Sequence, residues 1–468
     1  MTYEAFHKIR DDQEQKKRSI KPTAKLSSAR VPMPKVSAQH AELLNPEIVL
    51  DPDELKTFLE VLPPPIPAAK KEMEIPPIPA EAKKTITEKP AAKDQILEQY
   101  RRYVRQRQEA HQQLDKRFNC PLLPERSSFR GEGFVAVDDQ RVMQLEYSGF
   151  TMEKKPDAGH QFNQDCALSD PRSRIVAVFD GAGGAKNSER ASRLTAEVFH
   201  NQFKDEKFQY FESAEEFDAF RADYEKRVRA ALLEANRQIL SKAKESATTI
   251  AFSQVVGASD GKIKLAVATV GDSPIYVMSG RTGKITKINE DHNLLTQLKN
   301  IPQEFHNKIA MDLAARNSSV AAVRQKVGDA GFVDLMDKLI GAESAAQVYG
   351  SGLEKKYPEL TRDEVMTVFL ALNNRITRAV GDPKLTKEQV DINWVELADG
   401  DSILAASDAV FDNATVAQLE RILKGDINNL DKLNAQLLKA FVNKGLYEKG
   451  LVKPDDLTEC ALKVSLAK

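Results

Sequence analysis

The sequence predicts an α+β protein in which antiparallel sheets are covered by helices. Beyond residue 130 the chain becomes a series of short β-rich runs separated by glycine turns. Hairpin-like pairs follow one another directly, as in "KLAVATVGDSPIYVMSG". Long helical stretches at Ser188 to Phe203 and Ala214 to Glu245 stand between groups of strands. Apolar residues alternating with polar or small ones suit sheets with one face covered, which is the habit of antiparallel layers.

The N-terminal part lacks this texture. All 22 glycines lie beyond Arg130, and 13 of the 22 prolines lie before Lys93. A packed α/β unit needs glycine for its turns, so residues 1–130 read as a Pro/Lys/Glu-rich region, largely disordered or helical. "PPIPA" occurs at Pro64 to Ala68 and again at Pro76 to Ala80. Such segments favour polyproline II, as stiff spacers or as ligands for aromatic grooves of a protein partner. Two helical pieces interrupt the region. "DPDELKTFLEVL" opens on an Asp/Pro start signal at Asp51. Ala92 to Phe118 has few breakers and places Ile96, Tyr100, Tyr103 and Val104 on one side.

From Gly131 the expected strands are "GFVAV", "RVMQLEYSG", "CALSD", "RIVAVFD", "TTIAFSQVV", "KIKLAVATV", "PIYVMSG", "GKITKI", "VDINWVEL", "DSILAAS" and "ECALKVSL". Further helices are expected at Val416 to Leu423 and Asn429 to Lys444. Asn300 to Asn373 is nearly strandless and reads as a helical insertion between two β regions. The chain thus divides into residues 1–130 and a domain over 131–468, with 300–373 as the insertion.

Composition excludes several classes of function. Lys+Arg 68 against Asp+Glu 69 leaves a net charge of -1, with no whole-chain electrostatic footprint for nucleic acid. No apolar run approaches the ~20 residues that span a bilayer. "MTYEAFHKIRDDQEQKKRS" lacks the apolar core of a signal peptide. Cys120, Cys166 and Cys460, odd in number and far apart, read as reduced thiols rather than as a disulfide framework or zinc site. The expected location is cytoplasmic, with a secreted effector left open.

The chemistry lies in acids at strand ends. "VAVFDGAGG" ends an apolar run at Asp180-Gly181, "LAVATVGDS" ends at Asp272, and "SILAASDAVFD" ends at Asp408 with Asp412 following. "FNQD" sets Asp165 before one strand, and "KPDDLTECALKVSL" sets Asp455-Asp456 before the last. A single such turn could be only a cap. Several crowded carboxylates must keep protons or share a cation. Hard divalent ions, Mg²⁺ or Mn²⁺, want oxygen ligands, and no His/Cys cluster argues for zinc. Glycine after Asp180 would let a backbone carbonyl approach a cation, because no Cβ blocks the way.

The ordered set "HQFNQDC", "VFDGAGG", "ATTIAFSQV", "VATVGDSPIYV", "INEDHNLL", "ITRAVGD", "ILAASDAVFD" and "KPDDLTECALKV" resembles the metal-dependent protein phosphatases of the type 2C family, in a bacterial-like form with an extended N-terminal region. The resemblance covers Gly149 to Leu466 apart from the helical insertion. It implies a central sandwich of two antiparallel sheets in α-β-β-α layers, a two-metal site at one end, and a flap between "EDHNLL" and "ITRAVGD". By matching positions, Asp180 would bridge two Mn²⁺ or Mg²⁺ ions and Gly181 would offer its carbonyl. Asp408 and Asp455 would bind the second ion, and Asp165 would hold metal-bound waters. The "VGDS" turn at Asp272 would be structural or serve a further, weaker metal. The implied reaction is hydrolysis of phosphoserine or phosphothreonine in a protein substrate by a metal-bridging hydroxide.

Four positions depart from the family's habit. His160 stands where an arginine usually clamps the phosphate, and a histidine offers fewer donors and only partial charge. Ala182 stands where many members have a histidine, Gln164 where a glutamate is common, and Ala409 where glycine is usual. Ala409 fits a backbone of negative φ. With the long N-terminal region, His160 motivates an alternative: a phosphatase-like regulatory protein that binds without turnover. His160 would otherwise contact phosphate or leaving group. His292 is expected to stabilise a turn and Arg378 to anchor the flap.

Overall fold

The computed structural model describes residues 108–125, 127–138, 141–153, 162–182, 186–302, 305–342, 351–414, 416–424, 426–434 and 455–467, with Arg102, Arg105, Gln106, Gln347, Val348 and Leu437. The Pro-rich repeats, the helix expected at Asp51, the four apolar positions of Ile96 to Val104, and His160 lie outside the described residues. So does most of the helix expected at Asn429 to Lys444.

Two sheets carry the domain. The first has the order β1-β2-β12-β11-β8-β9, with β1 Ser127–Ala136, β2 Val142–Met152, β8 Ile275–Met278, β9 Ile285–Lys287, β11 Ser402–Ala406 and β12 Leu457–Leu466. The second has the order β10-β7-β6-β4-β3, with β3 Cys166–Asp170, β4 Ile175–Phe179, β6 Ile250–Ser259, β7 Lys262–Val270 and β10 Asp391–Leu397. All these pairings are antiparallel. A short strand that the sequence pattern does not announce, β5 Gln209–Tyr210, adds to β6 in parallel. It lies against Gly257, where a Cβ would stand 2.2 Å from the Gln209 carbonyl oxygen, so only glycine lets the two backbones meet.

Three apolar layers follow from the alternation. Between the sheets, Leu145, Tyr147, Val176, Val178, Val267 and Leu462 are buried together. Outside the second sheet lie α1 Ser188–Phe203 and α2 Ala214–Lys242, whose inward faces join Phe179 and Phe252. Phe199, Phe203, Phe252 and Tyr224 form a ring cluster there, with centroids 4.8 to 5.4 Å apart in the closest pairs. Burying each such ring contributes about 1.5–3 kcal/mol. Outside the first sheet lie α8 Asp408–Asp412 and α9 Val416–Leu423, packed on Met278, Leu404 and Leu457. The α-β-β-α layering expected from the resemblance is therefore present.

The helical insertion has a core of its own. Its elements are α3 Leu294–Lys299, α4 His306–Arg316, α5 Ser318–Ile340, α6 Leu353–Lys356 and α7 Arg362–Asn373. Leu298, Leu313, Phe332, Leu335, Phe369 and Leu372 are buried against one another. The apolar pattern runs on past Arg316, yet the helix breaks there. Asn317 is extended, and its side chain accepts hydrogen bonds from Ser319 N and Val320 N, starting α5 afresh. A capping box, Thr361 with Glu364, starts α7.

The base of the insertion is a pair of adjacent strand-like segments. Leu294 N donates to Arg375 O at 2.9 Å and Thr377 N to His292 O at 2.7 Å. His292 Nδ1 accepts from Gly271 N at 3.0 Å, so its proton is on Nε2, which faces Asp391 Oδ2 at 2.7 Å. Arg378 lies 3.6 Å from Asp391 Oδ1. His292 and Arg378 thus tie both ends of the insertion to β10 and to the turn before Asp272.

The packed structure begins ahead of Gly131. Residues 108–115 are helical, Leu123 N donates to Ala167 O at 2.9 Å, and Leu123 is buried in the inter-sheet core. Among the described residues no helix is long and apolar enough to cross a membrane.

Candidate metal centre

Both sheets end at the same place, and each supplies acids there. β3 is preceded by Asp165 and β4 is followed by Asp180. From the first sheet, β11 runs into Ser407 and Asp408, while Asp455 and Asp456 lead into β12. The side chain of Asp180 feels Asp165, Asp408 and Asp455, and that of Asp165 feels Asp456 and Asp455. The structure thus brings together Asp165, Asp180, Asp408 and Asp455. His160 lies outside the described residues.

The backbone around Asp180 is held by the "ATT" segment. Thr249 N and Thr248 Oγ1 both donate to Asp180 O at 2.8 Å, and Asp180 N donates to Thr249 Oγ1 at 3.1 Å. Thr249 Oγ1 also pairs with Ser273 Oγ at 2.6 Å, beside Asp272. Gly181 is irreplaceable on steric grounds. A Cβ there would stand 2.5 Å from Gln164 O and 2.9 Å from Ser188 O. The close approach presses the Asp180 turn against the loop that carries Asp165.

That loop is tied on every side. Asn163 is fully buried; its Nδ2 donates to Glu125 Oε2 at 2.8 Å and Thr151 Oγ1 at 2.9 Å. Its Oδ1 accepts from Asp165 N at 2.9 Å. Gln164 N donates to Asp456 Oδ2 at 2.7 Å. Buried Asp456 therefore positions the loop, while its half-buried neighbour Asp455 faces the other acids. Ser407 performs the matching task for Asp408. Its Oγ accepts from Thr458 N at 3.1 Å, binding the start of α8 to β12. Ala409 is buried on α8 and is not among the positive-φ residues, which is why alanine serves in place of glycine.

The electrostatics are those of crowded anions. Burial, then Asp456 and Asp455, push the Asp165 carboxyl well above the usual carboxylate range. Burial, then Asp165, Asp408 and Asp455, do the same to Asp180. The two carboxyls stand within hydrogen-bonding reach of each other. Asp165 Oδ2 is buried and accepts no hydrogen bond. The neighbouring Cys166 thiol is pushed up to about 12 by burial, so it stays protonated and is a poor ligand. The donors are thus hard oxygens with one orphaned lone-pair site, which fits a hard divalent cation. The acids are neighbours and not a finished cage: among the described residues no three His, Cys, Asp or Glu side chains already stand in ligating geometry.

Residues 157–325 match the family model described as protein phosphatase 2C. The matched span includes Asp165, Asp180 and Gly181; Asp408 and Asp455 lie C-terminal to it. Similar solved structures include the serine/threonine phosphatase PstP/Ppp of Mycobacterium tuberculosis, 17% identical with a TM-score of 0.41, covering 69% of this chain and 99% of that one. They also include PppA of Pseudomonas aeruginosa, 14% identical with a TM-score of 0.40, covering 68% of this chain and 97% of that one. Stp1 of Staphylococcus aureus is 17% identical with a TM-score of 0.41, covering 68% of this chain and 94% of that one. A search of curated proteins finds no match.

Several residues that shape the site had no role assigned from the sequence, although four of them lie inside the quoted motifs. The side chains of Asp456, Thr248, Thr249 and Asn163 hold backbone groups of the site, and nothing in their type announces it. Arg193 on α1 is 3% exposed, and its Nη1 donates to Asn163 O, Asp165 O and Glu189 O at 3.1, 3.3 and 3.0 Å. An arginine on the apolar face of an amphipathic helix was the available signal.

Proposed function

We propose that the domain hydrolyses phosphoserine and phosphothreonine in protein substrates, using two Mn²⁺ or Mg²⁺ ions. The single observation that carries the reading is the convergence of Asp165, Asp180, Asp408 and Asp455 from the ends of both sheets, with an unpartnered carboxylate oxygen among them.

In this reading Asp180, the Gly181 carbonyl, Asp408 and Asp455 would hold the two cations. Asp165 orients water beside them. When bound, the cations supply an activated water near neutral pH and offset charge on the phosphoryl oxygens. The Thr248–Thr249 pair fixes the direction in which Asp180 leaves β4. Asp456 and Asn163 fix that of Asp165. His160, preceding the Asn163–Asp165 loop, contacts the phosphate or the leaving group. No cysteine serves as nucleophile, since Cys166 and Cys460 are buried with raised thiol pKa values. The protein is expected to act in the cytoplasm on a phosphoprotein, with the Pro-rich arm docking a separate protein partner.

The test is hydrolysis of a phosphothreonine peptide by the full chain, with Mn²⁺ and then with chelator. Asp180→Asn should lower kcat by at least about 10²-fold, the scale expected when one preorganised electrostatic group is lost. An Asp180→Asn variant with full activity would sink the proposal. Tight peptide binding without turnover at any Mn²⁺ concentration would show a binding protein instead.

A further inference from the structure

We propose that the helical segment 108–115, which precedes the domain, is a positioning element of the acidic centre, so that its docking and cation binding stabilise each other. The inference rests on the metal-centre reading above. Two side chains of this segment enter the domain. His111 is fully buried, and its Nε2 accepts from Asn163 N at 2.8 Å. Nε2 must therefore carry a lone pair, and the ring proton sits on Nδ1. The ring also meets Phe162 edge-on, with centroids 5.4 Å apart. Asp115 Oδ1 accepts from Arg193 Nε at 2.6 Å, with Asp115 17% and Arg193 4% exposed at the side chain.

These contacts converge on one loop. His111 takes the N–H of Asn163, whose own Oδ1 holds Asp165 N. Asp115 neutralises the guanidinium that binds the carbonyls of Asn163 and Asp165. Undocking the segment would leave Asn163 N without its acceptor and Arg193 buried without this counter-ion. Each loss is costly in a low-dielectric setting. The residue both paths reach is Asp165, which carries the orphaned oxygen. Outer-shell partners that orient metal-binding groups typically govern 10–100-fold in affinity.

Coupling of this kind is reciprocal. If docking orders Asp165 for a cation, then the cation must order the docked segment. Segment 108–115 is the last stretch of the N-terminal region before the domain, so any partner that pulls on that region acts on the centre through His111 and Asp115.

Hydrogen exchange of the unmodified full chain, with and without Mn²⁺, decides the matter. The expected result is slower exchange at residues 108–115 on adding Mn²⁺, by several-fold, together with slower exchange at 176–182 and 455–460. Slowing at 176–182 and 455–460 alone would overturn this inference and leave the metal centre standing. No change anywhere would overturn both. As a second arm, Mn²⁺ affinity is read by the signal of free Mn²⁺. His111→Phe, which keeps the ring contact but loses the acceptor, should weaken it about tenfold. His111→Gln, which keeps an acceptor, should stay within about twofold. A folded His111→Phe variant with unchanged affinity would refute the proposal, and the exchange measurement stands even where that variant fails to fold.

Discussion

Replacing Asp165 by asparagine should make the metal-free protein more stable and the metal-bound protein less so. In the metal-free domain the Asp165 carboxyl faces that of Asp180, with Asp455 and Asp456 close by. Its Oδ2 is buried without a hydrogen bond. A buried acceptor left unpartnered costs about 1–3 kcal/mol. Asparagine has the same shape, and its amide can donate to the Asp180 carboxylate that Asp165 opposes. Asp165→Asn should therefore recover about 1–3 kcal/mol, which is roughly 1.5–4 °C in Tm for a domain of this size.

The same change removes an anion from the cation site. A ligand present at 100 times its Kd stabilises the native state by about 2.7 kcal/mol. The unmodified chain should gain on that scale as Mn²⁺ rises, and the variant should gain little. The assay is differential scanning fluorimetry of both proteins across a Mn²⁺ series from chelator to saturation. The two melting curves should cross: variant higher in chelator, unmodified chain higher in saturating Mn²⁺. A variant that melts lower in chelator and still rises with Mn²⁺ like the unmodified chain would refute the reasoning at its root.

Other expectations are as direct. Gly181→Ala puts a Cβ 2.5 Å from Gln164 O and 2.9 Å from Ser188 O, so the loop must shift; about 1–3 kcal/mol of stability should be lost, seen in urea melts, and Mn²⁺ affinity should fall with it. Glu459 is buried on β12, with Asn434 Nδ2 donating to its Oε1 at 2.9 Å and its Oε2 unpartnered. Burial pushes its carboxyl from the usual 4.5 up to about 8. Its folded pKa lies above its unfolded one, so its favourable contribution is complete below pH 4.5 and is lost as pH rises to 8. Glu459→Gln should remove that slope, leaving the variant roughly 4 kcal/mol better off near pH 8 in chemical denaturation. An unchanged pH profile would show that the acid does not titrate in that window. Asp170, beside Ser173 and 3.2 Å from His200 Nε2, is held down at about 2. Its contribution is present above its ordinary 3.8 and lost as pH falls through 2, so Asp170→Asn should cost about 1 kcal/mol at pH 7 and nothing near pH 2.

Much of the scaffold was legible because its periodicities are local. Ser188 to Phe203 and Val416 to Leu423 are helices with the expected ends, and each expected strand is found in one of the two sheets. The acids were legible for a different reason. A carboxylate at the exit of an apolar strand, followed by glycine or a small residue, is an uneconomical choice unless something charged is to be bound. What stayed hidden is non-local. β5 has only Gln209 and Tyr210, too few residues to show alternation, and pairs with a strand far along the chain. His111 and Asp115 lie in a stretch that reads as a long helix open to packing on the domain or on a partner, and neither residue stands out in it. Their burial depends on Asn163 and Arg193, 52 and 78 residues away. The break at Asn317 was hidden by the apolar pattern on both sides, and shows only where the side chain accepts from two backbone N–H groups.

The placement of the acids explains why stability and cation binding should move together here. Asp165 and Asp180 hang from the second sheet, while Asp408 and Asp455 hang from the first. Among the described residues no strand of one sheet pairs with a strand of the other. Their relative position is set by the apolar layer of Val176, Val178, Val267, Leu145 and Leu462, and by Gln164 N on Asp456. A cation shared by the two pairs of acids would cross-link the sheets at their ends, where the apolar layer stops. Loosening that layer should therefore weaken the ion's hold even at a distance from it. Because interiors are close-packed, a small slip of one sheet on the other separates the acid pairs as a unit.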